Sequence, residues 1–232
     1  MTKAMQRAVL SATMASALLV AGLYATGVQV SRPAHAAVTI PAPASDVAAR
    51  GSSATAVLAG GCFWGVEGVF ENVAGVRSVT AGYAGGSAGA ANYEAVGGGR
   101  SGHAEAVRIV YDPRVVSYGQ LLHIFFSVVH DPTQLNRQGP DHGPQYRSAI
   151  FPQDAEQRRV AQAYIRQLGR SGRFGRAIVT RIESGGFWPA EDHHQNYMRR
   201  NPRSPYIMAH DAPKLRDLRA TFPRLLAARP AA

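Results

Sequence analysis

Short apolar runs alternate with helical apolar patterns along most of this chain of 232 residues. Residues 54–59 (ATAVLA) form an apolar run that ends in two glycines, which is typical of a buried strand followed by a turn. Residues 63–73 carry apolar side chains at helical spacing: Val66, Val69, Phe70 and Val73. The pattern therefore predicts a strand, a tight turn and a helix in succession, with Cys62 at the turn.

The same patterns predict further strands and two further helices. Strands are predicted over residues 77–86, 104–111, 147–151 and 177–183. Ser117 and Gln120 form a capping-box pattern that begins one helix, whose apolar face holds Leu121, Leu122, Phe125, Phe126 and Val129. The other helix is predicted over residues 154–168, with Gly169 at its end. This order of elements indicates an α+β fold, a two-layer sandwich of helices on a mixed β-sheet.

Composition and charge narrow the functional classes. The length suits one compact domain, and we expect a monomer. The 25 Lys and Arg residues against 15 Asp and Glu give a net charge of +10, but the arginines are scattered and accompany no recognised nucleic-acid-binding motif. We therefore predict no nucleic-acid partner.

The first 36 residues have the layout of a secretory signal peptide. Lys3 and Arg7 precede an apolar stretch without charge up to Arg32, and residues 34–36 (AHA) fit a small-x-small cleavage site. The alternative is an uncleaved membrane anchor, since the uncharged run approaches the roughly 20 residues that span a bilayer. We predict cleavage, hence no stable membrane insertion, and an exported, periplasmic protein.

The rest of the chain then divides into a short lead-in and one domain. Residues 37–53 are rich in Ala, Pro, Ser and Gly and are predicted to form a flexible linker. Residues 54–228 are predicted to form one domain that includes a C-terminal extension, and the resemblance described below implies that this domain is catalytic.

Cys62 is the only cysteine and so cannot form a disulfide within the chain. At a helix N-terminus, unpaired backbone N–H groups and the helix dipole would favour its thiolate. Gly60, Gly61 and Gly65 would leave room for another molecule, and Phe63 with Trp64 would offer an apolar wall. Two other interpretations stay open: a thiol hydrolase with a histidine beside the sulfur, and a binding module with an inert buried cysteine.

Histidine and acidic residues elsewhere do not predict a metal site. Residues 191–194 (EDHH) are adjacent and point in different directions, whereas zinc ligands are usually spaced more widely. We predict a hydrogen-bonded helix start there, and structural roles beside turns for His103, His130 and His142.

Six blocks in order carry a resemblance to a known family. They read GGCFWGVE, GYAGG, NYEAV, GHAEAVRIVYDP, HDPTQLNRQGPDHGPQYRSAIF and AEDHHQNY. Together they resemble the A-type peptide methionine sulfoxide reductases (MsrA). The resemblance covers nearly all of the chain that follows the linker. The resemblance implies a ferredoxin-like core and reduction of the S epimer of methionine sulfoxide, free or in oxidised proteins, as repair of oxidative damage.

The resemblance also implies roles for the acid and the nucleophile. Cys62 would attack the sulfur of the sulfoxide and become a sulfenic acid, and Glu105 would protonate the sulfoxide oxygen. This chemistry requires a raised pKa for Glu105 and a lowered pKa for Cys62.

Further site residues are implied in the same way. Tyr93 and Tyr146 would hydrogen-bond the sulfoxide oxygen, and Asp141 would join the polar network. Phe63 and Trp64 would enclose the ε-methyl group of the substrate.

The chain departs from its relatives at the step that follows. Gly97, Gly98 and Gly99 stand where many relatives carry a resolving cysteine. The resemblance therefore implies no bound cofactor and an external reductant, which would be a thioredoxin-like protein or a small thiol.

Overall fold

Residues 37–231 are described by a computed structural model, in which a six-stranded sheet carries helices on one face. The predicted signal peptide, residues 1–36, lies outside the described residues. Over residues 37–231, no helix combines the length and the apolar character that crossing a membrane requires.

The main sheet has the strand order β7-β6-β1-β3-β2-β8. All neighbouring strands pair antiparallel except β6 and β7, which are parallel, so the sheet is mixed as predicted. A separate small hairpin pairs β4 with β5. The strands are β1 Ala54–Gly60, β2 Val76–Ala84, β3 Ala104–Tyr111, β4 Arg137–Gln138, β5 Asp141–His142, β6 Ser148–Phe151, β7 Arg181–Ile182 and β8 Phe187–Pro189.

The helices lie between these strands and after β8. They are α1 Phe63–Glu71, α2 Tyr93–Gly97, α3 Tyr118–Ile124, α4 Ala155–Ser171, α5 Tyr197–Arg200 and α6 Ala212–Thr221. Two π-helical turns adjoin them: Phe125–Val129 continues α3 and Ile207–Asp211 leads into α6. Short 3₁₀ turns lie at Ala88–Ala90, Pro144–Tyr146, Asp192–His194 and Pro223–Leu225.

The two faces of the sheet differ in what covers them. Alternate residues of the central strands, such as Leu58, Val107 and Ile109, point toward the helices and pack with Val66 and Phe70 of α1. The opposite face carries a smaller cluster of mostly small residues: Val57, Ala59, Ala84, Ala104, Ala106, Ala149 and Phe151. One helix-covered face makes the two-layer sandwich that the sequence predicted.

The capping box predicted for α3 is confirmed, and the structure shows a side-chain cap at α4 as well. Ser117 and Gln120 form the complete capping box at the start of α3. At α4, the Asp154 side chain accepts from the backbone N–H of Gln157. The predicted end at Gly169 is wrong, because α4 continues to Ser171 and ends at Gly172, whose φ of 67° is the left-handed conformation that glycine adopts freely.

Several elements differ from the sequence-based expectation, among them α5, α6 and the hairpin of β4 and β5, which were not predicted. The strand predicted over residues 177–183 is reduced to β7 Arg181–Ile182, an edge strand that pairs only with β6. Neither the five-residue helix α2 nor the three-residue strand β8 was predicted. Both are too short to show a periodic pattern, and β8 exists through its pairing with β2.

The lead-in, residues 37–53, contains no helix or strand but contacts the domain along its length. The N–H of Val38 donates to Ser127 O at 2.9 Å, and Ile40 is buried in the main core. The Tyr164 hydroxyl donates to Pro41 O at 2.8 Å. These contacts order the segment against α3 and α4.

Candidate active site

Two glycines shape the turn that presents Cys62. Gly61 has a φ of 95°, and a Cβ added there would lie 2.6 Å from Gln138 Cγ. Cys62 has non-helical angles (φ −53°, ψ 123°) and is the N-cap of α1. The predicted succession of strand, turn and helix is thus observed, with the cysteine where the helix begins.

The sulfur of Cys62 is buried, and the pKa of the thiol is raised, whereas the sequence predicted a lowered pKa. The side chain is 8% exposed. Burial, followed by the negative charges of Glu105 and Asp211, raises the pKa of the Cys62 thiol well above its ordinary value. The backbone N–H of Trp64 lowers the pKa, as the helix-start argument predicted, but does not outweigh these effects. The expectation of a lowered pKa is therefore wrong, and the thiol is protonated at neutral pH.

Glu105 lies next to the cysteine turn on the helix-covered face of β3. The N–H of Phe63, the residue after Cys62, donates to Glu105 Oε2 at 3.0 Å. The side chain is 3% exposed, and burial raises its pKa to about 8, with a further increase from Asp141. The raised pKa predicted for Glu105 is thus observed, and the carboxyl holds a proton at neutral pH.

Tyr93, Tyr146 and Asp141 surround the same two groups from separate loops. Tyr93 begins α2, Tyr146 ends a 3₁₀ turn, and Asp141 lies in β5. Glu105 and Cys62 raise the pKa of both tyrosines beyond what burial alone does, so both phenols keep their protons and can donate hydrogen bonds. The structure brings together all three residues that the sequence singled out.

Phe63 and Trp64 form an aromatic wall, but they differ in exposure. Phe63 is 1% exposed and packs against the ring of Tyr83 at 5.9 Å. Trp64 is half-buried, stacks on Tyr197 with ring centroids 3.8 Å apart, and donates from Nε1 to His194 Nδ1 at 3.2 Å. Trp64 thus offers the accessible apolar surface, and Phe63 supports it from behind.

Sequence reasoning missed Tyr206, a third phenol at the site. Its hydroxyl donates to Asp141 Oδ2 at 2.5 Å, and its ring meets Trp64 edge-on at 5.9 Å. Tyr206 precedes the π-helical turn and is separated from Cys62 by most of the chain, so no local motif marked it. The one available signal was its place in the part of the chain over which the resemblance extends.

Residues 191–194 use their polar atoms to hold site residues. Glu191 accepts from the Tyr83 hydroxyl at 2.8 Å and from the N–H of Tyr93 at 2.9 Å. His194 accepts from Trp64. Within residues 37–231, no group of three or more His, Cys, Asp or Glu side chains is placed to hold a metal ion.

Arg147 ties together the loops that carry the polar site residues. Its guanidinium donates to the backbone oxygens of Gly102, His103 and Pro144, and it pairs with Glu183 at 2.8 Å. These contacts fix the loop before β3 to the loop before β6. Glu105, which follows the first loop, and Tyr146, which lies in the second, are positioned together as a result.

Comparison with known proteins agrees with this geometry. The family profile described as Peptide methionine sulfoxide reductase matches residues 54–225. A protein of Synechocystis sp. named "Peptide methionine sulfoxide reductase MsrA 2" is 55% identical over 79% of this chain and 88% of its own length. A protein of the same name from Mesorhizobium japonicum is 52% identical over 80% of this chain and 95% of its own length.

Solved structures show the same architecture. Reduced Mxr1 from Saccharomyces cerevisiae has a TM-score of 0.60 and 32% identity, over 68% of this chain and 91% of that one. Methionine sulfoxide reductase A of Corynebacterium diphtheriae has a TM-score of 0.58 and 32% identity, over 74% of this chain and 87% of that one. The chain, with its buried cysteine beside a protonated carboxyl, belongs to the peptide methionine sulfoxide reductase family.

Proposed function

We propose that this protein reduces the S epimer of methionine sulfoxide to methionine, with Cys62 as nucleophile and Glu105 as proton donor. The observation that carries the proposal is the hydrogen bond from the N–H of Phe63 to Glu105, which holds a protonated carboxyl beside the cysteine turn. A sulfoxide oxygen leaves sulfur only after protonation, so an acid that keeps its proton at neutral pH suits this reaction.

The net chemistry moves one oxygen atom and two electrons. Cys62 sulfur, as a thiolate, attacks the sulfoxide sulfur while Glu105 protonates the oxygen, which leaves as hydroxide, so that the two sulfurs are joined in a sulfonium. Water then attacks the Cys62 sulfur and breaks the bond between the two sulfurs, which releases the thioether, leaves Cys62 as a sulfenic acid and supplies the proton that converts the hydroxide to water. Glu105 recovers its proton by way of solvent from the proton that the thiol gave up. Tyr93 and Tyr146, which keep their phenolic protons, would donate hydrogen bonds to the oxygen as negative charge develops there.

The aromatic wall would select the substrate. Trp64 presents a half-buried indole edge-on to Tyr206, a surface suited to the S-methyl group of the sulfoxide. Since the oxygen must meet the phenols while the methyl group meets the wall, only one configuration at sulfur places both groups correctly. The open side of the site would admit free methionine sulfoxide or an exposed residue of an oxidised protein.

Regeneration of Cys62 requires a thiol from outside the chain. With one cysteine, no internal disulfide can form. Two external thiol groups would reduce the sulfenic acid to the thiol, releasing water and one disulfide. A thioredoxin-like protein or a small thiol meets this requirement, and no bound cofactor is needed.

Turnover of the separate S and R epimers with dithiothreitol tests the proposal. We expect reduction of the S epimer by the unmodified protein and loss of that activity in Cys62→Ser. Arg159→Met, a change on the outer face of α4, is the matched control and should keep activity. Activity retained in Cys62→Ser would refute the role of the thiol, and hydrolysis of esters or amides that depends on Cys62 would favour the thiol hydrolase.

We also propose that the protein is exported and acts in the periplasm. The support is the basic start, the apolar stretch and the AHA site in residues 1–36. Cell fractionation with N-terminal sequencing of the mature protein tests this, and a mature start at about Ala37 is expected. A cytosolic protein with an intact N-terminus would contradict export, and an intact N-terminus in the membrane fraction would indicate an anchor.

A further inference from the structure

A buried ion pair lies against the first turn of the cysteine helix. Asp211 and Lys214 have side-chain exposures of 0% and 4%, and Lys214 Nζ is 3.0 Å from Asp211 Oδ1. A Cβ added to Gly65, three residues after Cys62, would lie 1.9 Å from that oxygen and 2.8 Å from Nζ. Both charges are therefore in contact with the turn that presents the sulfur.

The pair is incompletely satisfied. Asp211 Oδ2 is buried and is without a hydrogen-bond partner within residues 37–231. A buried carboxylate with one free oxygen is costly to keep, and its charge is weakly screened because water is excluded. Lys214 thus neutralises the negative charge of Asp211, which would otherwise act on the neighbouring side chains.

The negative charge of Asp211 raises the pKa of the Cys62 thiol. Asp211 is one of the three carboxyls that oppose ionisation of Cys62, with Glu105 on β3 and Asp141 on β5. Asp141 also feels both members of the pair, since Asp211 raises its pKa and Lys214 lowers it. The pair therefore belongs electrostatically to the site, although neither residue was predicted from sequence.

The other titratable groups around the pair and the sulfur come from several elements. Lys214 also faces His130, whose pKa burial lowers to about 4, so that this imidazole is neutral at neutral pH. The phenols whose protons are coupled to the Cys62 charge are Tyr93, Tyr146 and Tyr206, and His210 acts on Asp141.

We propose that Lys214 is a positioning residue for the chemistry of Cys62: by neutralising the buried carboxylate of Asp211, it prevents that charge from opposing ionisation of the sulfur. The inference rests on the proposed function, in which Cys62 attacks as a thiolate. Lys3 and Lys214 are the two lysines of the chain, and the other Lys or Arg positions are all arginine. A compact ammonium fits the confined space above Gly65 better than a planar guanidinium.

The pH dependence of Cys62 alkylation by iodoacetamide tests the proposal in the full chain. Because Cys62 is the only cysteine, the reaction reports on this sulfur alone. Lys214→Met leaves Asp211 unpaired, and we expect the midpoint of the alkylation profile to rise by about one pH unit. Asp211→Asn leaves Lys214 unpaired, and we expect the midpoint to fall by about the same amount.

Two further variants complete the design. The double variant Asp211→Asn, Lys214→Met should return the midpoint close to that of the unmodified protein, and Arg159→Met should not move it. Opposite shifts in the two single variants are the signature of charge, since mere loosening of the turn would shift both midpoints in the same direction. Midpoints that stay together, or that move in one direction, overturn the proposal.

Folding of each variant is checked by circular dichroism. Removal of one partner from a buried pair can prevent folding. If Lys214→Met does not fold, Asp211→Asn, which keeps the side-chain shape, decides alone by whether its midpoint falls. The alkylation assay uses neither sulfoxide nor reductant, so its result is independent of whether the proposed reductase activity is found.

Discussion

At the scale of single residues, two protonated groups define the resting site. Burial keeps the proton on Glu105 up to about pH 8 and on Cys62 to still higher pH. In the proposed reaction the two groups need opposite protonation states during attack, since the carboxyl would donate a proton and the sulfur would lose one. Activity therefore depends on substrate binding to bring the sulfur and the proton donor to their working states together.

The Glu105→Gln variant tests the acid. An amide cannot supply a proton, so we expect kcat/KM for the S epimer to fall by about 10²-fold to 10⁴-fold. In the unmodified protein the acid contribution is present below about pH 8 and is lost as the pH rises through that value. The measurement is kcat/KM against pH, with Glu156→Gln on α4 as the control for loss of a carboxyl.

The raised pKa of Glu105 should also make the free energy of unfolding depend on pH. The pKa of Glu105 is raised on folding, so the native state holds a proton that the unfolded chain loses above about pH 4.5. The free energy of unfolding contributed by this group therefore falls as pH rises from about 4.5 to about 8, and is constant above that. Urea unfolding across this range should show the slope in the unmodified protein, and a slope unchanged in Glu105→Gln would contradict the assignment.

At the scale of elements, α1 is fixed by side chains from the far end of the chain. Gly65 has no side chain, and the space that a Cβ would take is filled by Asp211 and Lys214 from the region of α6. The first turn of α1 therefore packs against the C-terminal extension at van der Waals contact.

A pair of glycine substitutions separates packing from helix propensity. Gly65→Ala inserts a methyl group 1.9 Å from a fully buried carboxylate, and we expect a net loss of about 1–3 kcal/mol in the free energy of unfolding. Gly169→Ala in α4 meets nothing within 4 Å and should gain about 0.5–1 kcal/mol. Urea unfolding of both variants measures these two changes in the free energy of unfolding. If both variants were more stable than the unmodified protein, the close contact at Gly65 would not destabilise Gly65→Ala.

Prediction from sequence succeeded where the determinants are local. Strands β1 and β3, helix α1 and the capping box of α3 follow from periodicity and from residues within a few positions. Strand β8 depends on pairing with β2, and the end of α4 depends on which of two nearby glycines adopts the left-handed conformation. These features depend on tertiary contacts or on backbone angles, and the hydrophobic pattern of the sequence gives no information about either.

The same division holds within the site. Cys62, Glu105 and the residues singled out with them lie in sequence blocks that could be identified, and the structure brings them together. Tyr206, Asp211 and Lys214 enter through a C-terminal segment whose contacts are all distant in sequence. The direction of the Cys62 pKa was missed because burial, which sequence does not measure, outweighs the helix N-terminus.

At the scale of the whole molecule, the chain carries one thiol, Cys62, and no second thiol to complete a disulfide. Each catalytic cycle must therefore end with a partner from solution. The range that matches the family, residues 54–225, includes every residue to which we assign a role in the first half of the proposed reaction.

A single-turnover experiment follows from this composition. Without a reductant, we expect each molecule to release one methionine and then stop, with Cys62 as a sulfenic acid that dimedone can label. Adding dithiothreitol should restore turnover. Mass spectrometry of the intact protein provides the measurement, and continued methionine release without any thiol would contradict an external electron donor.

The burial and protonation of Cys62 affect how fast oxidants react with its sulfur. Hydrogen peroxide attacks thiolates, and it attacks them fastest when they are open to water. Cys62 at rest is neither ionised nor open to water. We expect peroxide to inactivate the free enzyme only slowly, so a catalyst of repair would survive the same stress that creates its substrates.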